Sequence, residues 1–200
     1  MSALFERLER VFAQSADVGL MGLRDDADVA PAQLRPAAVL IAVTDRAEPG
    51  ILLTQRPDTM AAHPGQVAFP GGKIEPGEDP IAAALREADE ELSIAPEAVR
   101  VIGQTQSFVT GSGFQLTPVL GLVPPDLTIR PDPREVASWF EVPLRYALDQ
   151  RNHVARTGLF RGISRSYTEI IWNDYRIWGI TAGILANLSH RLAWQDLLDD

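Results

Sequence analysis

GKIEPGEDPIAAALREADEELSI, residues 72–94, is the stretch from which the rest of the chain is read. Gly71 and Gly72 predict a glycine loop that opens into a short helix. Asp79 stands where an N-cap side chain is wanted, and Pro80 takes the first helical position, where a missing N–H costs nothing. Ile81, Ala84, Leu85, Ala88 and Leu92 recur at helical spacing and form one apolar stripe. Ser93 and Pro96 lie where the helix should stop. With Ile81 taken as zero, Glu87, Glu90 and Glu91 fall at roughly 180° to 280° around the axis. One side of the helix packs, and another collects negative charge.

That charge needs a reason. Like charges three or four residues apart cost a helix about a few tenths of a kcal/mol per pair. A solvated acidic surface is the plain explanation for three glutamates. A hard divalent cation is the other, because magnesium or manganese takes oxygen ligands, using a few carboxylates together with substrate phosphates. Arg86 lies four residues before Glu90 and can hold that carboxylate. Gly71 and Gly72 let backbone approach a ligand closely, and the amides there, with Lys73, can receive phosphate oxygens.

Composition limits the rest. Two hundred residues suit one domain, and an apolar share of 46% suffices for a core. The formal net charge of −9 argues against non-specific nucleic-acid binding, which wants a basic surface. A small anionic substrate stays open where a cation or arginine offsets the field. There is no cysteine, so disulfides, thiolate metal sites and a cysteine nucleophile are excluded. The opening MSALFERLERVFAQ lacks a signal-like apolar core, and no apolar run approaches the ~20 residues of a membrane span. The expectation is a cytoplasmic protein with no membrane partner, acting as a monomer or homodimer.

Outward from the helix, the chain reads as α/β with a mixed sheet. Leu4, Leu8 and Phe12 predict an N-terminal amphipathic helix, and residues 25–36 a lead-in loop. Strands are expected at 37–44, 51–55, 99–110, 114–123 and 135–142, with a short extended piece at 67–69 that the glycines break. Residues 167–172 and 175–178 read as a hairpin across Asn173 and Asp174, and 180–192 as a final helix. Arg151, Arg156, Arg161 and Arg165 form a basic run, read first as a solvated loop and second as a docking place for a phosphate. Trp139, Trp172, Trp178 and Trp194 read as packing or interface residues. The expected division is an N-terminal helix and lead-in over 1–36, a catalytic domain over 37–192 and a tail over 193–200.

The full spacing of Gly72, Glu78, Arg86, Glu87, Ala88, Glu90, Glu91 and Ile94 resembles the box of the Nudix hydrolases. Ser93 departs from it, standing where that family has glycine. LLTQRPDTMAAHPGQVAFPGG, residues 52–72, is similar to the upstream signature of the coenzyme A pyrophosphatase (NudL-like) branch. Pro57 and Ala61 depart from it, Ala61 replacing an arginine. The similarity runs on through TPVLGLVPPDL, EVASWFEVPL and IWGITAGIL.

The resemblance implies an α/β/α sandwich around a mixed sheet and water attack on a diphosphate, with Mg²⁺ or Mn²⁺. For coenzyme A the products are adenosine 3′,5′-bisphosphate and 4′-phosphopantetheine. ADP-ribose or a nucleoside triphosphate is the alternative substrate, and a nucleotide-binding regulatory module the non-enzyme alternative. Glu87 and Glu91 are then the first metal ligands, with Glu90 third, and Glu87, Arg86 and Glu90 the catalytic set. Arg56, Phe69, Gly71, Gly72 and Lys73 are the substrate-binding candidates. Glu78 either reaches the metal through water or braces the loop. His63 is read as a solvated loop residue before a catalytic one, and the general base is left open.

Overall fold

The computed structural model describes residues 2–28, 30–60, 63–160 and 162–192. Its centre is a pair of long apolar strands, β1 (Arg35–Thr44) and β7 (Phe114–Val123), paired in parallel from Arg35 opposite Phe114 to Thr44 opposite Val123. Both are buried on both faces for most of their length, which is where parallel strands belong. Around them the mixed sheet has the order β3-β2-β1-β7-β5, with β2 at Gly50–Gln55, β3 at Val67–Ala68 and β5 at Arg100–Gln104. β4 (Gly71–Lys73) pairs with β1, β6 (Phe108–Val109) with β7, and β8 (Ser138–Pro143) with β2.

The second edge of β1 is shared. Its first half pairs antiparallel with β4, Ala37 opposite Lys73 and Val39 opposite Gly71, while Val43 pairs with Ile51 of β2. The chain therefore parts between β2 and β4, and a cleft opens there.

Helices cover both faces. Ala38, Leu40 and Ala42 face α2 (Pro80–Leu92), meeting Ala83, Ala84, Ala88 and Leu92. Ala37, Ile41 and Val43 face the other way, into a core shared with Leu8 of α1 (Ala3–Gln14) and with Leu185 and Leu188 of α4 (Ile180–Leu192). This is an α/β/α sandwich. α3 (Leu144–Leu148) closes one end of the second core. Among the described residues no helix is long and apolar enough to cross a membrane.

Four differences from the sequence reading have physical causes. Gly71–Lys73 is a strand, not a loop; the loop is residues 74–79. A Cβ on Gly71 would run into Ala38 O and lie 2.7 Å from Val39 Cα, so only glycine lets this strand lie against β1. α2 is turned so that Ala83 is fully buried and Ile81 and Leu85 only half so, because an alanine line lets the helix sit close on Ala38 and Ala42. The expected strand over 99–110 is broken, with a register shift between Val101 and Gly103, and α1's Phe12 ring fills the space beside Gly103.

Arg156 and Arg165 of the basic run lie on strands, not in a loop. β9 (Val154–Phe160) and β10 (Ile163–Trp172) form an antiparallel hairpin, continued by β11 (Tyr175–Trp178). β9 is mostly exposed, so no apolar alternation betrays it in the sequence. Trp194 and the tail from 193 on lie outside the described residues, as do Ala61 and Arg161.

Candidate functional site

α2 begins as its sequence requires: the Asp79 carboxylate accepts from the Ala82 N–H at 2.8 Å, with Pro80 in the first turn. It ends at Ser93, which is left-handed at φ 57°; the Ser93 and Ile94 N–H groups close back on Asp89 O and Ala88 O. The helix thus has fixed ends, and its four functional side chains point in fixed directions.

Arg86 is the hub. Its Nε donates to Glu78 Oε1 at 2.9 Å and its Nη2 to Glu78 Oε2 at 3.0 Å, a two-pronged grip on the loop before the helix. Nη1 donates to Glu87 Oε1 at 3.0 Å and to Glu90 Oε2 at 3.1 Å, and Nη2 also reaches Lys73 O at 3.0 Å. One guanidinium ties loop, strand and two carboxylates together. Glu78 braces the loop in this arrangement, its second oxygen also accepting from the Glu75 N–H. The Arg86 bond holds the Glu78 carboxyl below its ordinary range.

The acids differ sharply in setting. Glu90 is outermost, its side chain 59% exposed. Glu87 is half-buried, and its carboxyl is pushed up chiefly by lost hydration, against the Arg86 bond. Glu91 is only 5% exposed. One of its oxygens accepts from the Gly71 N–H, while Oε2 is buried without a partner. Burial, with the charges of Glu87 and Glu135, pushes Glu91 up to about 8.

Glu135 is the acid the sequence did not single out. It arrives from the crossing after β7, which docks on the helix end through Asp132 N–H to Glu91 O at 2.9 Å and Arg130 N–H to Leu92 O at 3.0 Å. A turn on Asp132 O then brings Glu135 into the lining of the same cleft. No spacing rule links residue 135 to the box; only the fold does.

These groups share one cleft of about 870 Å³. Glu87, Glu90, Glu91, Arg86, Gly71, Gly72, Lys73, Arg56 and Phe69 all line it, whereas Glu78 does not and acts on it through Arg86. Phe69 does so from the core, at 3% exposure. His63 lines it too, from a left-handed turn at φ 55°. Arg56 has its Nε buried without a partner, and its charge is the one that draws Glu91 down. The described residues of the basic run are not among those that line the cleft, and each is paired: Arg151 holds Asp149, Arg156 holds Glu169, and Arg165 holds Asp26 at 3.0 Å.

Among the described residues no three acids or histidines form a ready-made cage. The residues nevertheless fit a divalent cation. A buried carboxylate oxygen with no donor, beside two other carboxylates, is an anion short of positive charge. Glu87, Glu90 and Glu91 carry the hard carboxylate oxygens that such an ion takes.

The NUDIX domain model matches residues 34–160. A Shigella flexneri protein named as an uncharacterized Nudix hydrolase NudL is 44% identical over 168 residues, 84% of this chain and 88% of its own length. Its namesake in Citrobacter koseri is 47% identical over 156 residues, 78% of this chain and 81% of that one. A crystal structure of a MutT/nudix family protein from Enterococcus faecalis shares the fold at a TM-score of 0.51 and 12% identity, covering 85% of this chain and 64% of that one. Nudix hydrolases generally use divalent metal ions and small nucleotide substrates, which suits the acid-walled cleft. Sandwich, cleft and likeness agree: the chain belongs to the Nudix family and is a hydrolase of a diphosphate-containing small molecule.

Proposed function

We propose that this enzyme hydrolyses the diphosphate linkage of coenzyme A or its derivatives, with Mg²⁺ or Mn²⁺, to adenosine 3′,5′-bisphosphate and 4′-phosphopantetheine. The observation that carries the reading is the cleft. It brings the acids together with Ala37 and Val39 of β1 and Ile180, Thr181 and Ile184 of α4 around about 870 Å³, volume for a substrate larger than a bare diphosphate. The signature over 52–72 supports it: Thr54, Arg56, Ala68, Phe69, Gly71 and Gly72 of that stretch all line the cleft.

Glu87 and Glu91, with Glu90 third, are the residues that would hold the cation. The chemistry supplied there is Lewis-acid polarisation of a phosphoryl oxygen. Arg86 positions Glu87 and Glu90 and fixes the loop through Glu78. Arg56 offsets charge beside Glu91 and faces the diphosphate. Gly72 leaves the space that the Glu87 carboxylate fills, and Lys73 offers a further positive charge to the substrate. Water adds to one phosphorus, the bridging P–O bond breaks, and each product keeps one of the two phosphates of the cut linkage as a monoester, the adenosine product carrying its 3′-phosphate besides. Glu135, which lines the cleft and whose charge acts on Glu87 and Glu91, is our assignment for the carboxylate that takes the water's proton.

The reading carries with it a cytoplasmic site of action, a monomer or homodimer, and a catalytic unit over 37–192 between an N-terminal helix with its lead-in (1–36) and a tail (193–200). A second reading, ADP-ribose or a nucleoside triphosphate, is motivated by Ala61 in place of arginine. Coenzyme A, acetyl-coenzyme A, oxidised coenzyme A, ADP-ribose and nucleoside triphosphates, assayed with Mg²⁺ and with Mn²⁺, decide between them. Silence on all three coenzyme A species beside brisk turnover of another substrate ends the first reading.

A further inference from the structure

We propose that Arg35 and Lys73 form a seat for a second anionic group of the substrate, a phosphate monoester carried at a distance from the diphosphate that is cut. The seat rests on the coenzyme A reading and deepens it, since that substrate bears such a group on its ribose.

The placement follows from strand alternation. Successive residues of β4 point to opposite faces of the sheet. Gly72 faces α2, where an added Cβ would meet the Glu87 carboxylate. Lys73 pairs with Ala37, whose side chain lies in the core on the α4 side, so Lys73 springs from that other face. Arg35 is two residues before Ala37 on the same strand and so on the same face, about 7 Å along it. The two cations flank one place in the cleft, with the sheet between them and the acidic helix.

Their surroundings leave them available. Arg35 lies over the Phe114 ring at 4.0 Å from its centroid and donates one Nη2–H to Ser112 O at 3.0 Å. Those contacts orient the guanidinium without neutralising it. Among the described residues neither Arg35 nor Lys73 takes part in an ion pair, although Glu75 also borders the cleft. Arg86, Arg151, Arg156 and Arg176, by contrast, are each bound to a carboxylate. The hydroxyls of Thr110 and Ser112, 3.0 Å apart, border the same end and add donors. In an acidic chain, two unpaired cations on one cleft wall beside an aromatic ring are chemistry for a phosphate monoester on a nucleoside. The described arginines of the β9–β10 hairpin, the candidates from the sequence, are bound to Glu169 and Asp26.

The test is a comparison of paired ligands. Calorimetry on the full chain should show adenosine 3′,5′-bisphosphate binding about 10- to 100-fold tighter than AMP, the scale of one or two charge-assisted hydrogen bonds. Arg35→Gln and Lys73→Met should each shrink that ratio toward one, and Arg35→Lys should keep part of it. The kcat/KM ratio of coenzyme A to its 3′-dephospho form should fall in parallel. A wild-type protein with no preference, or an Arg35→Gln protein with an unchanged one, overturns the seat. Equal cleavage of both coenzyme A forms by wild type removes the seat and leaves the hydrolase reading standing. A tighter hold on the bisphosphate that is lost in Arg35→Gln, without any coenzyme A turnover, supports the seat and removes the substrate.

Discussion

Arg86 grips Glu78 with two parallel hydrogen bonds, 2.9 and 3.0 Å, eight positions apart, joining the loop to the second turn of the helix. A planar fork is needed for that geometry and an ammonium cannot copy it. Arg86→Lys should therefore lower kcat by about 10²-fold while far-UV circular dichroism stays native, because the loss is one of position. Glu78→Gln should fall in between. Steady-state kinetics with Mn²⁺ in excess check both.

Glu87→Gln should cut turnover by roughly 10²-fold or more, the scale of removing an electrostatic or acid-base group. Glu90→Gln should cost less, since Glu90 stands mostly in solvent. Equal losses at both positions would contradict this ordering.

Gly72→Ala and Gly71→Ala should fail in different ways. A Cβ on residue 72 meets only the Glu87 carboxylate, which can swing aside; the protein should fold normally and lose most activity. A Cβ on residue 71 strikes the backbone of β1, so that variant should lose stability as well. Thermal melting beside activity separates the two.

The Glu91 carboxyl titrates near 8 in the fold against an ordinary value of 4.5, so the folded state holds more protons than the unfolded chain between those pH values. Its contribution to stability is full below 4.5 and is lost as pH rises through about 8. The metal-free protein should therefore melt lower at pH 8.5 than at pH 6, with Glu91→Gln removing much of that slope. Added Mn²⁺, which takes the proton's place, should restore more stability at the higher pH. Scanning calorimetry at several pH values, with and without the metal, reads both effects.

Ser93 holds a left-handed conformation at the helix end. Ser93→Gly should gain about 0.5 kcal/mol, the relief of the backbone outweighing the entropy of glycine and the exposed bond from Ser93 Oγ to Arg130 O. Ser93→Val should lose about 1 kcal/mol or more. Urea denaturation measures each.

The helix and its caps could be read in advance because period, cap and stop coincide in one local stretch. So could the two central strands, whose runs are apolar throughout. What escaped depended on partners far away in sequence. Gly71–Lys73 looks like punctuation, and only β1 makes it a strand. Glu91 looks like its neighbours Glu87 and Glu90, but the Gly71 backbone and the crossing at Asp132 bury it. Glu135 stands in an unremarkable segment and comes to the cleft through contacts at Asp132 and Arg130. The hairpin hid because Arg156 is answered across the sheet by Glu169 and Arg165 by the distant Asp26.

The three residues of β4 act as a tether of fixed phase. One insertion or deletion within them would hand the lysine to the α2 side of the sheet and a glycine to the α4 side, exchanging the two environments in a single step. Residues 75–79, past the last bond to β1 from the Ile74 N–H to Pro36 O, are where changes of length can be absorbed, so long as Glu78 still comes back to Arg86.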